Sequence, residues 1–307
     1  MKPLFLLGPQ RFEPNVAEIV TQLEASGPIA AITAGWQERE QELDELQEHL
    51  AQDVVNLRLY ERSETILTED HELAQALQRK KRSLRELQRL YRMRLDHAMA
   101  DAREMMSLDG RDALVRDHRQ ASIRALRTLD RQHLTRIQRL HEEFDQEWQP
   151  HQRDAVARQR DEVLQEIDGA GAIAIAGGHV AVLLNRLRLF ALDDVLPTRP
   201  IVAWSAGAMA LTERVVLFHD SPPQGAGNAE VFEAGLGCTR GLIALPHASK
   251  RLNLDDPVRV ALMARRFRPD MTALLDPGTV FERTADGWRG RQSARTLAPR
   301  GAVVRKR

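Results

Sequence analysis

The chain has a single cysteine in 307 residues, Cys238, so no disulfide can form within it. A lone cysteine suits a reducing compartment, and behind Gly235-Leu236-Gly237 it reads as a small buried residue rather than a reactive thiol. Net charge is missing too. The 44 Lys and Arg residues balance 44 Asp and Glu, which removes the electrostatic argument for a nucleic-acid or membrane-surface protein. No apolar run approaches the roughly eighteen residues of a membrane span. The segment Met1-Lys2-Pro3-Leu4-Phe5-Leu6-Leu7-Gly8 is too short for a signal peptide, lacks a cleavage site, and reads as a first buried strand; a cytoplasmic location is expected. Metal-ligand spacing is absent as well. Six of the ten histidines lie between His71 and His151, and none forms a His-x-x-x-His pair backed by carboxylates. Neither a metal nor an organic cofactor is expected.

Glycine and proline are nearly absent from one region. Between about Thr68 and Asp154 there is one of each, Gly110 and Pro150, while Arg, Glu, Gln and Leu dominate. Apolar positions there recur at intervals of three, four or seven: Leu73, Leu77, Leu84, Leu87, Tyr91, Leu95, Ala98 and Met105, then Leu126, Leu129, His133, Ile137, Leu140, Phe144 and Trp148. That spacing predicts two long helices, and the segment from Ser107 to Asp112 between them reads as the turn of an antiparallel hairpin. A helix of some 37 residues would be roughly 55 Å long.

Before this region the chain alternates strand and helix: strand Leu4–Leu7, helix Asn15–Ala25, strand Pro28–Thr33, acidic helix Trp36–Gln52 and strand Val54–Leu59. After it, a helix over Ala155–Ile167 leads into strands again. Such alternation argues for parallel βαβ units. The expected organisation is 1–67 as the first part of an α/β domain, 68–154 as an inserted helical hairpin, 155–298 as the rest of the α/β domain, and 299–307 as a basic, disordered tail.

Four segments bear on chemistry. Ile201-Val202-Ala203-Trp204 reads as a buried strand running into Ser205, with Ala206-Gly207-Ala208-Met209-Ala210-Leu211 opening a helix. At such a corner the hydroxyl is pushed outward beside backbone N–H groups that can hold an oxyanion. Ala172-Ile173-Ala174-Ile175-Ala176 runs into Gly177-Gly178-His179, a glycine pair that permits close backbone approach. Phe218-His219-Asp220 and Leu242-Ile243-Ala244-Leu245-Pro246-His247 complete the set. Serine, acid and histidine each follow an apolar run, and in open α/β sheets ligands bind at the carboxyl ends of strands.

These residues resemble the family of serine peptidases that includes dipeptidase E and cyanophycinase, on the class I glutamine amidotransferase-like fold. The likeness rests on Gly177-Gly178, the Trp204-Ser205-Ala206-Gly207-Ala208 elbow, Gly235-Leu236-Gly237 and Pro246-His247. It covers roughly 1–65 and 160–285. Asp220 follows Ser205 by fifteen residues and His247 follows it by forty-two, close to that family's spacing. The resemblance implies an α/β, flavodoxin-like three-layer fold, with Ser205 as nucleophile, His247 as general base, Asp220 orienting the imidazole, and the N–H groups of Gly178 and Ala206 as oxyanion hole. Two departures bear on substrate preference: Ala203 stands where the family has Gly, and His179 where Asn, Asp or Gln usually follows the glycine pair. A serine, not a cysteine, at the elbow argues against glutamine hydrolysis.

The expected function is therefore a peptidase- or amidase-type serine hydrolase acting through an acyl-enzyme on a small peptide or amide. Glu230 and Glu233 rival Asp220 for the acid role, and His219 is a second imidazole. Arg251 and Arg259 are candidates for holding a substrate carboxylate. The alternative is a catalytically silent domain whose helical hairpin mediates assembly, as a homo-oligomer, or binds a partner. Between Arg79 and Arg94, eight basic residues face one acid. Nucleic acid is not the favoured partner, because antiparallel pairing would bring that run alongside the acidic stretch Glu142–Glu147.

Overall fold

The structure is a computed structural model that describes residues 2–50, 52–108, 113–220, 227–291 and 293–306. It is an α/β protein with a mostly parallel central sheet and long helices. The first strands and helices are β1 (Leu4–Leu7), α1 (Val16–Gln22), β2 (Ile29–Ile32), α2 (Asp44–Leu50), β3 (Val54–Asn56) and α3 (Leu59–Glu69). Then come α4 (His71–Ser107), α5 (Ala113–Trp148), α6 (Asp154–Asp168), β4 (Ala172–Ile175), α7 (Val180–Leu189), β5 (Ile201–Trp204) and α8 (Ala206–Leu211). The C-terminal part holds β6 (Arg214–Leu217), β7 (Glu230–Ala234), β8 (Leu242–Pro246), α9 (Ala248–Arg251), α10 (Pro257–Phe267) and β9 (Met271–Leu275). It ends in β10 (Val280–Thr284), β11 (Gly287–Arg291), β12 (Arg295–Leu297) and β13 (Val303–Arg305).

The central sheet has the order β11-β10-β1-β5-β4-β2-β3. Its strands from β1 to β3 are parallel, and β10 and β11 extend it antiparallel at one edge. Because parallel strands are covered on both faces, they read as continuous apolar runs whose alternate residues serve opposite cores. Ile173 and Ile175 of β4 join Leu4, Leu6, Ile32 and Ala203 in the core beneath α3, α6 and α7. Ala172 and Ala174 join Phe5, Leu7, Ile29 and Val202 in the core beneath α1 and α2. Three layers result.

A second sheet, β13-β12-β9-β8, stands apart from the first, with β8 and β9 parallel, and β6 pairs with β7 as a separate two-stranded ribbon. The two strands that lead into Ser205 and His247 therefore belong to different sheets. The tail is not disordered as expected from its charge. Val303–Arg305 pairs with Arg295–Leu297, and backbone bonds such as Lys306 N–H to Ala294 O hold it down.

Helices α4 and α5 run antiparallel along each other. Tyr91 stacks on His133 with ring centroids 4.0 Å apart, and Arg119 Nε donates to Met105 O at 2.8 Å. The expected turn falls at 109–112, outside the described residues. The pair does not stand clear of the α/β body. Leu95, Met99, Leu126 and Leu129 share a core with Val216, Val231, Val260 and Phe267 of β6, β7 and α10. At its centre Arg266, 2% exposed, donates to both oxygens of Asp130 at 2.7 Å and to the Tyr91 hydroxyl at 2.8 Å. The charge-assisted bonds leave neither ion uncompensated, which is the condition for burying them. The basic run only partly meets the acidic stretch: Lys80 Nζ lies 3.9 Å from Asp145, whereas Arg92 donates to Glu230 on β7 at 2.5 Å.

Two elements differ from the sequence reading. The acidic helix expected over Trp36–Gln52 is broken at Gln37, with φ 60° and ψ −127°, and resumes only at Asp44. The strand expected over Val54–Leu59 stops at Asn56, and α3 begins at Leu59. One residue links both changes. Glu40, 2% exposed, accepts the backbone N–H groups of Tyr60 at 3.0 Å and Glu61 at 2.9 Å, satisfying donors that the start of α3 leaves open.

Among the described residues, no helix is long and apolar enough to cross a membrane.

Candidate active site

Ser205 sits at the corner between β5 and α8 with φ 50° and ψ −117°. A non-glycine residue at positive φ is strained by about 1–3 kcal/mol and persists only where the surroundings enforce it. They do so here. The Ser205 N–H reaches Leu7 O on the neighbouring strand at 3.4 Å, and its C=O accepts from Met209 N at 3.1 Å, the first hydrogen bond of α8. Every residue from Ala206 to Leu211 is buried. Gly207 lets this helix lie against β4: a Cβ there would stand 2.3 Å from Ile175 O and 2.9 Å from Ala176 O.

The glycine pair follows β4. Gly178 has φ 109°, and a Cβ on it would meet Gly35 O at 2.4 Å. This turn is closed by His179 N–H donating to Gly35 O at 2.7 Å. His179 itself caps α7, its Nδ1 accepting from Val182 N at 3.4 Å. The N–H groups of Gly178 and Ala206 donate to no acceptor among the described residues.

His247 follows β8 in the left-handed region, φ 55° and ψ 34°, and heads the single turn α9. Its N–H donates to Leu275 O at 3.0 Å, which ties the end of β8 to the end of β9. Burial holds its imidazole below the usual histidine pKa. Arg251 and Lys250 act in the same direction, and Asp276 opposes them. A ring so placed is neutral near pH 7 and can accept a proton.

Ser205, Gly178, Ala206 and His247 all line one cavity of about 1490 Å³. Trp204, His219, Glu230, Lys250 and Arg251 also line it, as do Phe12 and Trp36. The His219 Nδ1 is buried without a partner among the described residues. No hydrogen bond joins Ser205 Oγ to His247.

No hydrogen bond joins Asp220 to His247. Its carboxylate accepts from Asn253 N at 2.6 Å and from the Arg259 guanidinium. Arg259, expected to bind substrate, does not line the cavity and is occupied by that pair. Both rival acids are engaged as well. Glu230 binds Arg92 and Gln88, and Glu233 accepts from His141 Nε2 at 3.0 Å and from Ala234 N at 2.9 Å. The Pro-rich stretch after Asp220 falls at 221–226, outside the described residues. Arg251 does line the cavity, and its guanidinium has no acceptor among the described residues.

The sequence reading passed over Asp276. This residue directly follows β9, next to Leu275 whose C=O accepts the His247 N–H, and it accepts from Ser249 N at 2.8 Å, Ser249 Oγ at 2.7 Å and Arg295 at 2.8 Å. The signal that marked Ser205 and His247, a polar residue just past a buried apolar run, is present in Ala273-Leu274-Leu275-Asp276. Its following Pro277-Gly278 makes the segment look like an ordinary turn. The Cys238 thiol is pushed up to about 12 by burial, which leaves it protonated and unreactive at neutral pH. Among the described residues, no group of three or more His, Cys, Asp or Glu is placed to hold a metal ion.

No family model matches the chain, and no curated protein sequence does. Among solved structures it is similar to the crystal structure of a peptidase from an acI-B1 Actinobacterium, with 12% identity and a TM-score of 0.49 over 100% of this chain and 95% of that one. A likeness of this size carries no argument about activity.

Proposed function

We propose that the chain is a serine hydrolase of the peptidase or amidase type, on a flavodoxin-like α/β domain into which residues 68–154 are inserted as a helical hairpin. The observation that carries this reading is the Ser205 backbone. A strained serine is held at a strand-to-helix corner, on the wall of a cavity that a neutral imidazole also lines. Such strain is expected where function requires it.

In this reading Ser205 Oγ attacks the substrate carbonyl while His247 takes its proton. The N–H groups of Gly178 and Ala206 receive the oxyanion. His247 then protonates the leaving amine, and a water activated by the same ring releases the acyl group. Asp276 replaces Asp220 as the acid that favours the imidazolium, since it is the carboxylate whose charge acts on His247. Arg251 meets a carboxylate of a small peptide substrate, since it lines the cavity and its guanidinium has no acceptor among the described residues.

Labelling with an alkyl fluorophosphonate tests the reading. Oγ attacks phosphorus, fluoride leaves, and His247 takes the proton. Wild type should label, Ser205→Ala should not, and His247→Ala should label at least about a hundredfold more slowly. A folded wild type that does not label overturns the proposal and favours a silent domain whose helices bind a partner.

A further inference from the structure

The turn that follows His247 cannot stand by itself. α9 has four residues, and one isolated turn leaves its terminal N–H and C=O groups without intrahelical partners while its ordering is unfavourable. Within it, Lys250 N and Arg251 N both donate to His247 O at 3.0 Å, so the histidine and the arginine are fixed relative to each other. Two carboxylates bracket this turn. Asp276 takes Ser249 N and Oγ at its start. Asp220 takes its end.

Asp220 does so through three bonds. Its backbone N–H donates to Arg251 O at 2.7 Å, one carboxylate oxygen accepts Asn253 N at 2.6 Å, and the other accepts from Arg259. Its side chain is 9% exposed. Arg259 also reaches Gly227 O at 3.3 Å, and Gly227 N donates to His219 O at 3.3 Å. The pair therefore ties the end of the β6 segment, which carries His219 into the cavity, to the 251–259 segment, which carries Arg251. No bond from Asp220 leads to the imidazole. Two of them lead to the backbone at Arg251 and Asn253, and the third to the Arg259 guanidinium.

We propose that Asp220 and Arg259 form a latch that holds Arg251 on the cavity wall, making Asp220 a positioning residue for substrate affinity rather than the third member of a triad. The proposal rests on the serine-hydrolase reading above. Cutting the latch lets the end of α9 move, so that the cation leaves the substrate carboxylate while the Ser205 corner, held by the central sheet, stays in place.

Two probes separate the alternatives: an alkyl fluorophosphonate, and the same molecule ending in a carboxylate. Wild type should label faster with the carboxylate probe. Asp220→Asn, Asp220→Ala and Arg259→Ala should each reduce that preference by about tenfold or more, as Arg251→Ala does. The neutral probe should slow by no more than about fivefold in the Asp220 and Arg259 variants. Adding Arg259→Ala to Asp220→Ala should cost almost nothing more, because the Asp220–Arg259 contact is already gone in the single variant. The result that overturns the latch is loss of neutral-probe labelling by about a thousandfold in Asp220→Asn with Arg259→Ala unaffected, the pattern of a triad acid. A wild type that shows no preference for the carboxylate probe also overturns it. A wild type that labels with neither probe defeats the hydrolase reading instead. Should Asp220→Ala fail to fold by circular dichroism, Asp220→Asn and Arg259→Ala decide the matter.

Discussion

Replacing Gly207 by alanine places one methyl group where the elbow has no room for it. The new Cβ would stand 2.3 Å from Ile175 O and 2.9 Å from Ala176 O, backbone atoms of the last residue of β4 and the one after it. Ordinary contact begins near 3.4 Å, so α8 must retreat from β4 by about 1 Å. The obstacle is the main chain of a buried parallel strand, which cannot swing aside as a side chain would. Overpacking of this kind costs about 1–3 kcal/mol of stability. The retreat also carries Ser205 with it, because the C=O of Ser205 accepts the first hydrogen bond of α8. A misplacement of roughly 1 Å at a reacting group costs about a hundredfold in rate. Gly207→Ala is therefore expected to fold, to lose about 1–3 kcal/mol in urea denaturation, and to react with an alkyl fluorophosphonate about a hundredfold more slowly than wild type. Labelling at the wild-type rate would show that the close approach of α8 to β4 does not set the position of the serine.

Two further outcomes follow from the charges. Because burial, Arg251 and Lys250 hold the His247 pKa below 6.5, Ser205 labelling should be flat above that pH and fall towards tenfold per unit below the lowered pKa, as the base becomes protonated. Removing a positive neighbour with Lys250→Gln should move this acid limb to higher pH; a downward shift contradicts the assignment. Asp130→Ala leaves the Arg266 guanidinium, 2% exposed, without its carboxylate, and should cost about 3–5 kcal/mol in chemical denaturation. A loss below about 1 kcal/mol would mean that the site rehydrates.

Much of the fold was legible because period and punctuation are local properties. The β1, β2, β4, β5 and β8 segments are continuous apolar runs, and a run of four or five such residues bounded by Gly, Pro or Ser fits a buried parallel strand. The 37-residue α4 and 36-residue α5 were visible in apolar residues at helical spacing with glycine and proline excluded. The same local logic marked the corner at Ser205. It failed at Trp36–Gln52, where composition favours a helix, because the deciding interaction is Glu40 reaching the start of α3 twenty residues later.

Pairing is what a sequence does not carry. Whether an acid lies beside His247 depends on which strand neighbours β8. The parallel partner is β9, which Asp276 directly follows, while Asp220 follows β6 in a separate ribbon. Family spacing placed Asp220 in the triad by counting residues, and counting cannot tell that its carboxylate is claimed by Arg259 and Asn253. Likewise the composition of 68–154 specified two helices but not where they lie. Only their packing on β6, β7 and α10, around Asp130 and Arg266, settles that. The sequence by itself determined most of the elements, the strand-to-helix corner at Ser205 and the neutral overall charge, because the elements and the corner depend on residues close along the chain and the charge on composition alone. Tertiary structure alone decided which side chains share the cavity and which acids are already occupied, because those depend on strand order and on partners far apart in the chain.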